Sequence, residues 1–288
     1  MITQDVNQKA RARRKRRKIA SHTSAILMLT MWSLFALAPI VWIFLMSLKV
    51  PGDIIVYPPK FNFIPTLANY ATVLQGSEFF NAFTNSLVIT LGSLVLTLII
   101  GLPTAYALAR FEFKGKESIA FAILSLRFAP ELLIILPLYL IYQQSGLYNT
   151  QIGLILAYQL VTLPMLVWML RSFIEDLPKE LEEAVAIDGG NRWTAFRYVM
   201  FRLIAPGLGA SLMLSFIWAW NSYTLPLVLG GRDTEVITTG IQQYISYQSI
   251  EWGPMAAATV VSMIPGIVFA MLSLRWIVGG LTVGTVKG

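Results

Sequence analysis

Cysteine is missing from all 288 residues, and histidine occurs once, at His22. Without thiols the chain forms no disulfide, no thiolate zinc site and no cysteine nucleophile. A single imidazole leaves no His cluster for a metal and no Ser-His-Asp arrangement. Charge is scarce as well. Only 13% of residues are Asp, Glu, Lys or Arg and 56% are hydrophobic, against roughly 25% charged in soluble domains. No GxxxxGK[ST] phosphate loop is present, and "KGKES" at 114–118 has only a fragment of one. No repeat of fixed period and no low-complexity linker interrupts the chain, so one integral domain is the simplest organisation.

What remains is a membrane composition. A helix crossing a hydrocarbon core of ~30 Å takes about 20 mostly apolar residues. Six runs meet that need, at approximately 24–48, 84–109, 119–142, 152–170, 207–229 and 254–274. The first follows a basic tail, residues 1–23, containing "RARRKRRK", but its apolar run exceeds the roughly 7–15 residues of a signal-peptide core. It reads as a retained helix, with the tail as a topogenic, lipid-facing anchor. Placing the N-terminus in the cytoplasm puts eighteen of the 22 Lys and Arg residues on that side. Lys49, Lys60 and Arg232 then lie outside and Arg127 lies within a span. The positive-inside rule therefore sets both termini in the cytoplasm, as six spans require. The expected fold is an all-α integral membrane protein of six transmembrane helices.

Between the fourth and fifth spans lies a polar segment, 171–206, longer than the roughly 2–8 residues that join helices in bundles. Its centre, "ELEEAVAIDGG", holds Glu180, Glu182, Glu183 and Asp188 and ends in two glycines. The pattern predicts a helix over about 178–188, capped by Asp176, with Pro178 and the acids in its first turn. Gly189 and Gly190 supply a φ > 0 stop. A second helix starts at Asn191, with Trp193, Phe196, Met200 and Leu203 as one apolar stripe leading to Pro206 and the next span. Such a hairpin either caps the bundle or docks a cytoplasmic partner.

Within the spans, Arg127 and Glu131 flank Pro130. Charges at that depth are costly, so an i,i+4 pair facing the bundle interior is expected, lining a substrate path, holding the packing or contacting a partner permease. Trp220, Asn221 and Tyr223 combine aromatic faces with an amide, which suits a sugar, although the rings also suit an interfacial belt. Tyr158 and Gln159 are further candidates for the path. Pro103, Pro137, Pro164 and Pro265 mark expected kinks. The segment 49–83 is external and nearly charge-balanced, so it offers no basic funnel for anionic solutes.

"EEAVAIDGGNRWTAFRYVMFRLIAP" resembles the EAA loop of ABC-importer permeases, matching at Glu183, Ala184, Asp188, Gly189 and Pro206. Val185, Gly190 and Arg202 depart from the usual pattern. "FNFIPTLANY", "AYALARFEFKGK", "FIWAWNSY" and "GLTVGTVKG" are similar in order to the carbohydrate branch of that family, which includes the smaller permease of maltose systems. The resemblance implies a type I importer fold over 24–288 and a coupling helix whose Glu182, Glu183, Ala184, Asp188 and Gly189 meet an ATPase. It also implies a second homologous permease, a dimeric ATPase that holds the ATP and Mg, and an external sugar-binding protein. The chain itself then binds no cofactor and is no enzyme. Its role is ATP-driven import of a sugar, oligosaccharide or polyol through a bacterial inner membrane. An ion-coupled transporter or channel, and an ABC permease for another solute, are the alternatives.

Overall fold

The computed structural model describes residues 2–128, 131–246 and 249–283, with side chains for 22–128, 131–246 and 249–274. Pro130 lies outside the described residues. Apart from one isolated bridge between Ile245 and Ile250, the regular structure among the described residues is helical. The main helices are α1 (Ile2–Ser47), α2 (Ala68–Gln75), α3 (Ser77–Arg110), α4 (Lys116–Phe128), α5 (Glu131–Ser145) and α6 (Gln151–Glu175). They continue as α7 (Glu180–Ile187), α8 (Arg192–Trp220), α9 (Thr224–Leu229), α10 (Ile237–Gly240) and α11 (Trp252–Val283).

Five stretches among the described residues are long and apolar enough to cross a membrane: His22–Ser47, Ser77–Arg110, Gln151–Glu175, Arg192–Trp220 and Trp252–Leu274. The expected third span is not one straight helix. It consists of α4 and α5, which differ in direction by 97°. At 1.5 Å per residue each is only about 20 Å long, so neither crosses a ~30 Å core alone.

The fifth span is also displaced. It was expected at 207–229, behind a separate amphipathic helix, but α8 is continuous from Arg192 and ends at Trp220. The apolar 224–229 segment forms α9 instead. Within α8, Phe196–Met200 makes a π-helical turn. That extra residue shifts the helical phase. Ala195, Met200 and Ile204 are therefore buried, whereas Trp193 and Leu203 of the expected stripe are exposed. Pro206 and the four expected kink prolines all lie inside helices.

The chain divides into two compact units. One comprises the chain up to Tyr70 with Glu251–Val260; the other comprises Ala71–Ile250 and the chain from Val261. In the first, Asn69 Nδ2 donates to the carbonyls of Ser47 (2.9 Å) and Lys49 (2.8 Å). Lys49, expected as an external charge, is buried; it donates to the Lys60 carbonyl and approaches the Phe63 ring at 5.0 Å. Its ammonium therefore keeps a polar and an aromatic partner after losing water.

In the second unit α3 packs along α6, and α8 packs on both. Two apolar clusters form its core. One gathers Ile89, Ile135, Leu154 and Tyr158 with α9, and the other gathers Leu108, Leu166, Leu170, Met200 and Ile204. Between α3 and α6, Thr97 donates to Gln159 Oε1 at 2.8 Å and shares a 2.7 Å hydrogen bond with Thr162. Gln159 Nε2 in turn donates to the Ser93 carbonyl at 3.1 Å. In hydrocarbon such contacts hold helices together without help from hydrophobic exclusion.

Candidate functional site

The loop helix α7 occupies 180–187, two residues inside its expected start. Asp176 caps the end of α6 rather than the start of α7, whose N-cap is Lys179. Glu180, Glu182 and Glu183 do occupy the first turn, where the helix dipole favours acids. At the other end Gly189 N donates to the Ala186 carbonyl (3.1 Å) and Gly190 N donates to the Val185 carbonyl (2.8 Å). With Gly189 at φ +83°, this is a Schellman turn. Gly190 does not share the positive φ expected of it. It is small for another reason: a Cβ there would lie 2.6 Å from Val185 Cγ1. Asn191 then opens α8, its side-chain oxygen accepting from Thr194 N at 2.9 Å.

The two faces of α7 differ. Glu183, Ala184 and Ile187 are exposed, Ile187 to 86%. Glu182, expected with Glu183 to meet an ATPase, is half-buried and turned toward α3. Its Oε1 accepts from Arg110 Nε and its Oε2 accepts from the Tyr106 hydroxyl at 2.7 Å. Asp188 and Gly189 are exposed and form the turn itself.

A second site lies along α6, α8 and the start of α5. A cavity of about 420 Å³ is lined by Glu131, Tyr158, Thr162, Trp218, Asn221 and Tyr223, among others. Asn221 Nδ2 donates to the Ile217 carbonyl, and Tyr223 accepts from Gln242 Nε2 at 2.7 Å. Tyr158 and Thr162 are buried in the wall, and the rest of the lining offers one carboxylate, an indole face, a phenol, the Ser222 and Thr224 hydroxyls and an amide. That mixture fits a polyhydroxyl solute, whose C–H faces lie on rings and whose hydroxyls need both donors and acceptors.

Of the residues expected on the path, Glu131, Tyr158, Asn221 and Tyr223 line this cavity. Arg127 does not pair with Glu131 among the described residues. Its guanidinium lies 4.0 Å from the centre of the Trp218 ring, and both charged residues line an adjoining recess. A cation on an indole face retains favourable electrostatics in an apolar setting. Gln159 and Trp220 are not among the lining residues. Gln159 is used between α3 and α6, as above. Trp220 is buried, with its Nε1 donating to the Ser262 carbonyl at 3.1 Å and its ring against Phe83 and Phe216.

Trp218 and Thr162 were missed. The helical phase of "FIWAWNSY" separates Trp218 and Asn221, three apart on the cavity side, from Phe216 and Trp220, four apart on the core side. Arg110 and Tyr106 were also missed as site residues, though both lie in "AYALAR" at i,i+4.

Comparison with known proteins identifies the family. Residues 97–283 match the family described as binding-protein-dependent transport system inner membrane component. The chain is similar to the diacetylchitobiose uptake system permease protein NgcG of Streptomyces coelicolor, with 34% identity over 94% of this chain and 90% of that one. It is similar to the maltose/maltodextrin transport system permease protein MalG of Vibrio parahaemolyticus, with 38% identity over 69% and 70%. Among solved structures, it shares its fold with a chain of a bacterial ABC transporter involved in import of the acidic polysaccharide alginate. That match has a TM-score of 0.73 and 22% identity, covering 90% of this chain and 96% of the other.

Proposed function

Because the chain belongs to the binding-protein-dependent transport system inner membrane components, we propose that it moves a sugar, oligosaccharide or polyol by alternating access, driven by an ATPase docked on α7. It is a multi-pass permease subunit of the inner membrane. The observation that carries the mechanism is the exposed face of α7, Glu183, Ala184 and Ile187, fixed in direction by the Gly189 turn. Ala184 permits close approach of a partner, Ile187 offers an apolar anchor and Glu183 offers a charge for a basic residue. The ATP and Mg belong to the partner ATPase dimer, and an external binding protein delivers the cargo. A second, homologous permease completes the pathway, and both termini of this chain are cytoplasmic by the balance of Lys and Arg.

For the cargo, the support is the ring-and-hydroxyl lining of the 420 Å³ cavity together with relatives named for diacetylchitobiose and maltose. Trp218→Ala removes a stacking face and should raise the KM for uptake roughly 3–10-fold, the scale of an aromatic contact. Trp220→Phe, on the opposite side of α8, should leave KM at the parent value. Uptake of radiolabelled maltose and diacetylchitobiose by cells carrying the whole system measures both. Equal effects from the two variants, or no uptake of either sugar, would remove the support for this cargo.

A further inference from the structure

α7 is eight residues long and contains no buried residue. An isolated helix of that length is unstable, and with nothing in the core it cannot be fixed to the bundle by apolar packing alone. Its attachments are the start of α8 and a polar node centred on Glu182. Both carboxylate oxygens of Glu182 are occupied, one by Arg110 and the other by Tyr106, which sit four apart on one face of α3. The Arg110 side chain is 6% exposed, and its Nη2 also donates to the Leu177 carbonyl (3.0 Å) in the segment between α6 and α7. One guanidinium thus joins α3, the segment after α6 and α7, through two nitrogens of its planar fork. The Tyr106 ring stands edge-on to Phe196, 5.1 Å between centres, at the π turn of α8.

The node connects onward to the cavity. α3 leads from Arg110 back to Thr97, whose hydroxyl shares a 2.7 Å hydrogen bond with Thr162. Thr162 lines the cavity. A series of helix and hydrogen bonds, with Pro103 inside the helical part, therefore runs from α7 to the cavity wall and gives a displacement of α7 a route to it.

We infer that Arg110 and Tyr106 are positioning residues that tie α7 to α3 through Glu182, so that movement of the docking helix moves the membrane helix beside the cavity. The inference rests on the reading of α7 as the ATPase-docking element. It assigns Glu182 to the inside of the machine and leaves Glu183 to the partner.

The test uses the complete transporter in proteoliposomes, with Arg110→Ala, Glu182→Ala and the double variant. Three quantities are measured: ATPase retained on purification, ATP hydrolysed and sugar taken up. Each single change is expected to lower uptake per ATP hydrolysed on the order of tenfold, the scale of an allosteric coupling, with ATPase retained at parent level. The double variant should be no worse than either single one, because the residues act as one unit. Unchanged uptake per ATP, additive losses, or loss of the ATPase from the single variants would each overturn the tie. A parent chain that carries no ATPase would instead count against docking. The tie is then read by hydrogen exchange, where Arg110→Ala should accelerate exchange of the 183–190 amides while those of 160–170 stay at parent rates. Unaltered exchange at 183–190 would overturn it in that setting too.

Discussion

Gly189→Val is expected to reduce uptake to background while the chain still inserts into the membrane at parent level. The residue sits at φ +83° at the end of α7. No neighbouring atom lies within 4 Å of an added Cβ, so the substitution meets no external clash. The cost is purely conformational. A β-branched residue resists positive φ, at about 1–3 kcal/mol for a strained backbone of this kind. α7 can relieve that cost because nothing in it is buried, so the Schellman turn opens and the helix loses its direction. The membrane helices, with their own apolar clusters, do not depend on it. Membrane fractionation and an uptake assay separate the two effects. Gly189→Asn, a residue that tolerates the left-handed region, should recover a substantial part of transport.

The second large effect is expected at Glu183. Glu183→Lys should strip the ATPase from the purified complex, because it reverses the charge offered to a basic residue on the partner. Removing one member of a desolvated interfacial charge pair costs about 2–5 kcal/mol, and reversal adds repulsion. Glu183 is exposed, so the isolated permease should fold and insert as before. Affinity purification in mild detergent followed by mass spectrometry reads the outcome. An ATPase retained by Glu183→Lys at the parent level would move the docking contact elsewhere.

The sequence was most legible where a single physical requirement dominates over many residues. Apolar runs of about 20 residues identify the spans, and their ends were less well defined. α3 begins at Ser77, because "SEFFNAF" continues the helix through a half-aromatic turn that hydropathy alone leaves out. α8 extends for 29 residues, about 43 Å at the standard rise, so its first turns project beyond a ~30 Å core while remaining one helix. The π turn at 196–200 had no sequence signal. It arises where Met200 and Ile204 enter the core beneath Tyr106, a tertiary demand.

The helix and turn of the 171–206 loop were legible because acids at a helix start and glycine at its end act locally. Gly189 behaves as expected, whereas Gly190 is constrained by Val185 rather than by its own φ. The bonds of Glu182 to Tyr106 and Arg110 were not legible, since these partners lie more than seventy residues earlier. The cavity was half legible. Helical phase distinguishes Trp218 from Trp220, and applying it to "FIWAWNSY" would have found the lining residue. The Arg127–Glu131 pair failed as an expectation because α4 and α5 are two helices at 97°, so i,i+4 spacing no longer means one face.

The absence of cysteine offers a direct experiment on the central claim, which is that α7 is a cytoplasmic surface covered by an ATPase. Ile187→Cys introduces the chain's only thiol at its most exposed apolar docking position. A membrane-impermeant maleimide should label it in inside-out vesicles stripped of peripheral proteins, and should fail to label it in right-side-out vesicles. Restoring the ATPase to the stripped vesicles should then protect it. Labelling from the external face, or labelling equally fast with the ATPase bound, would contradict the docking of α7.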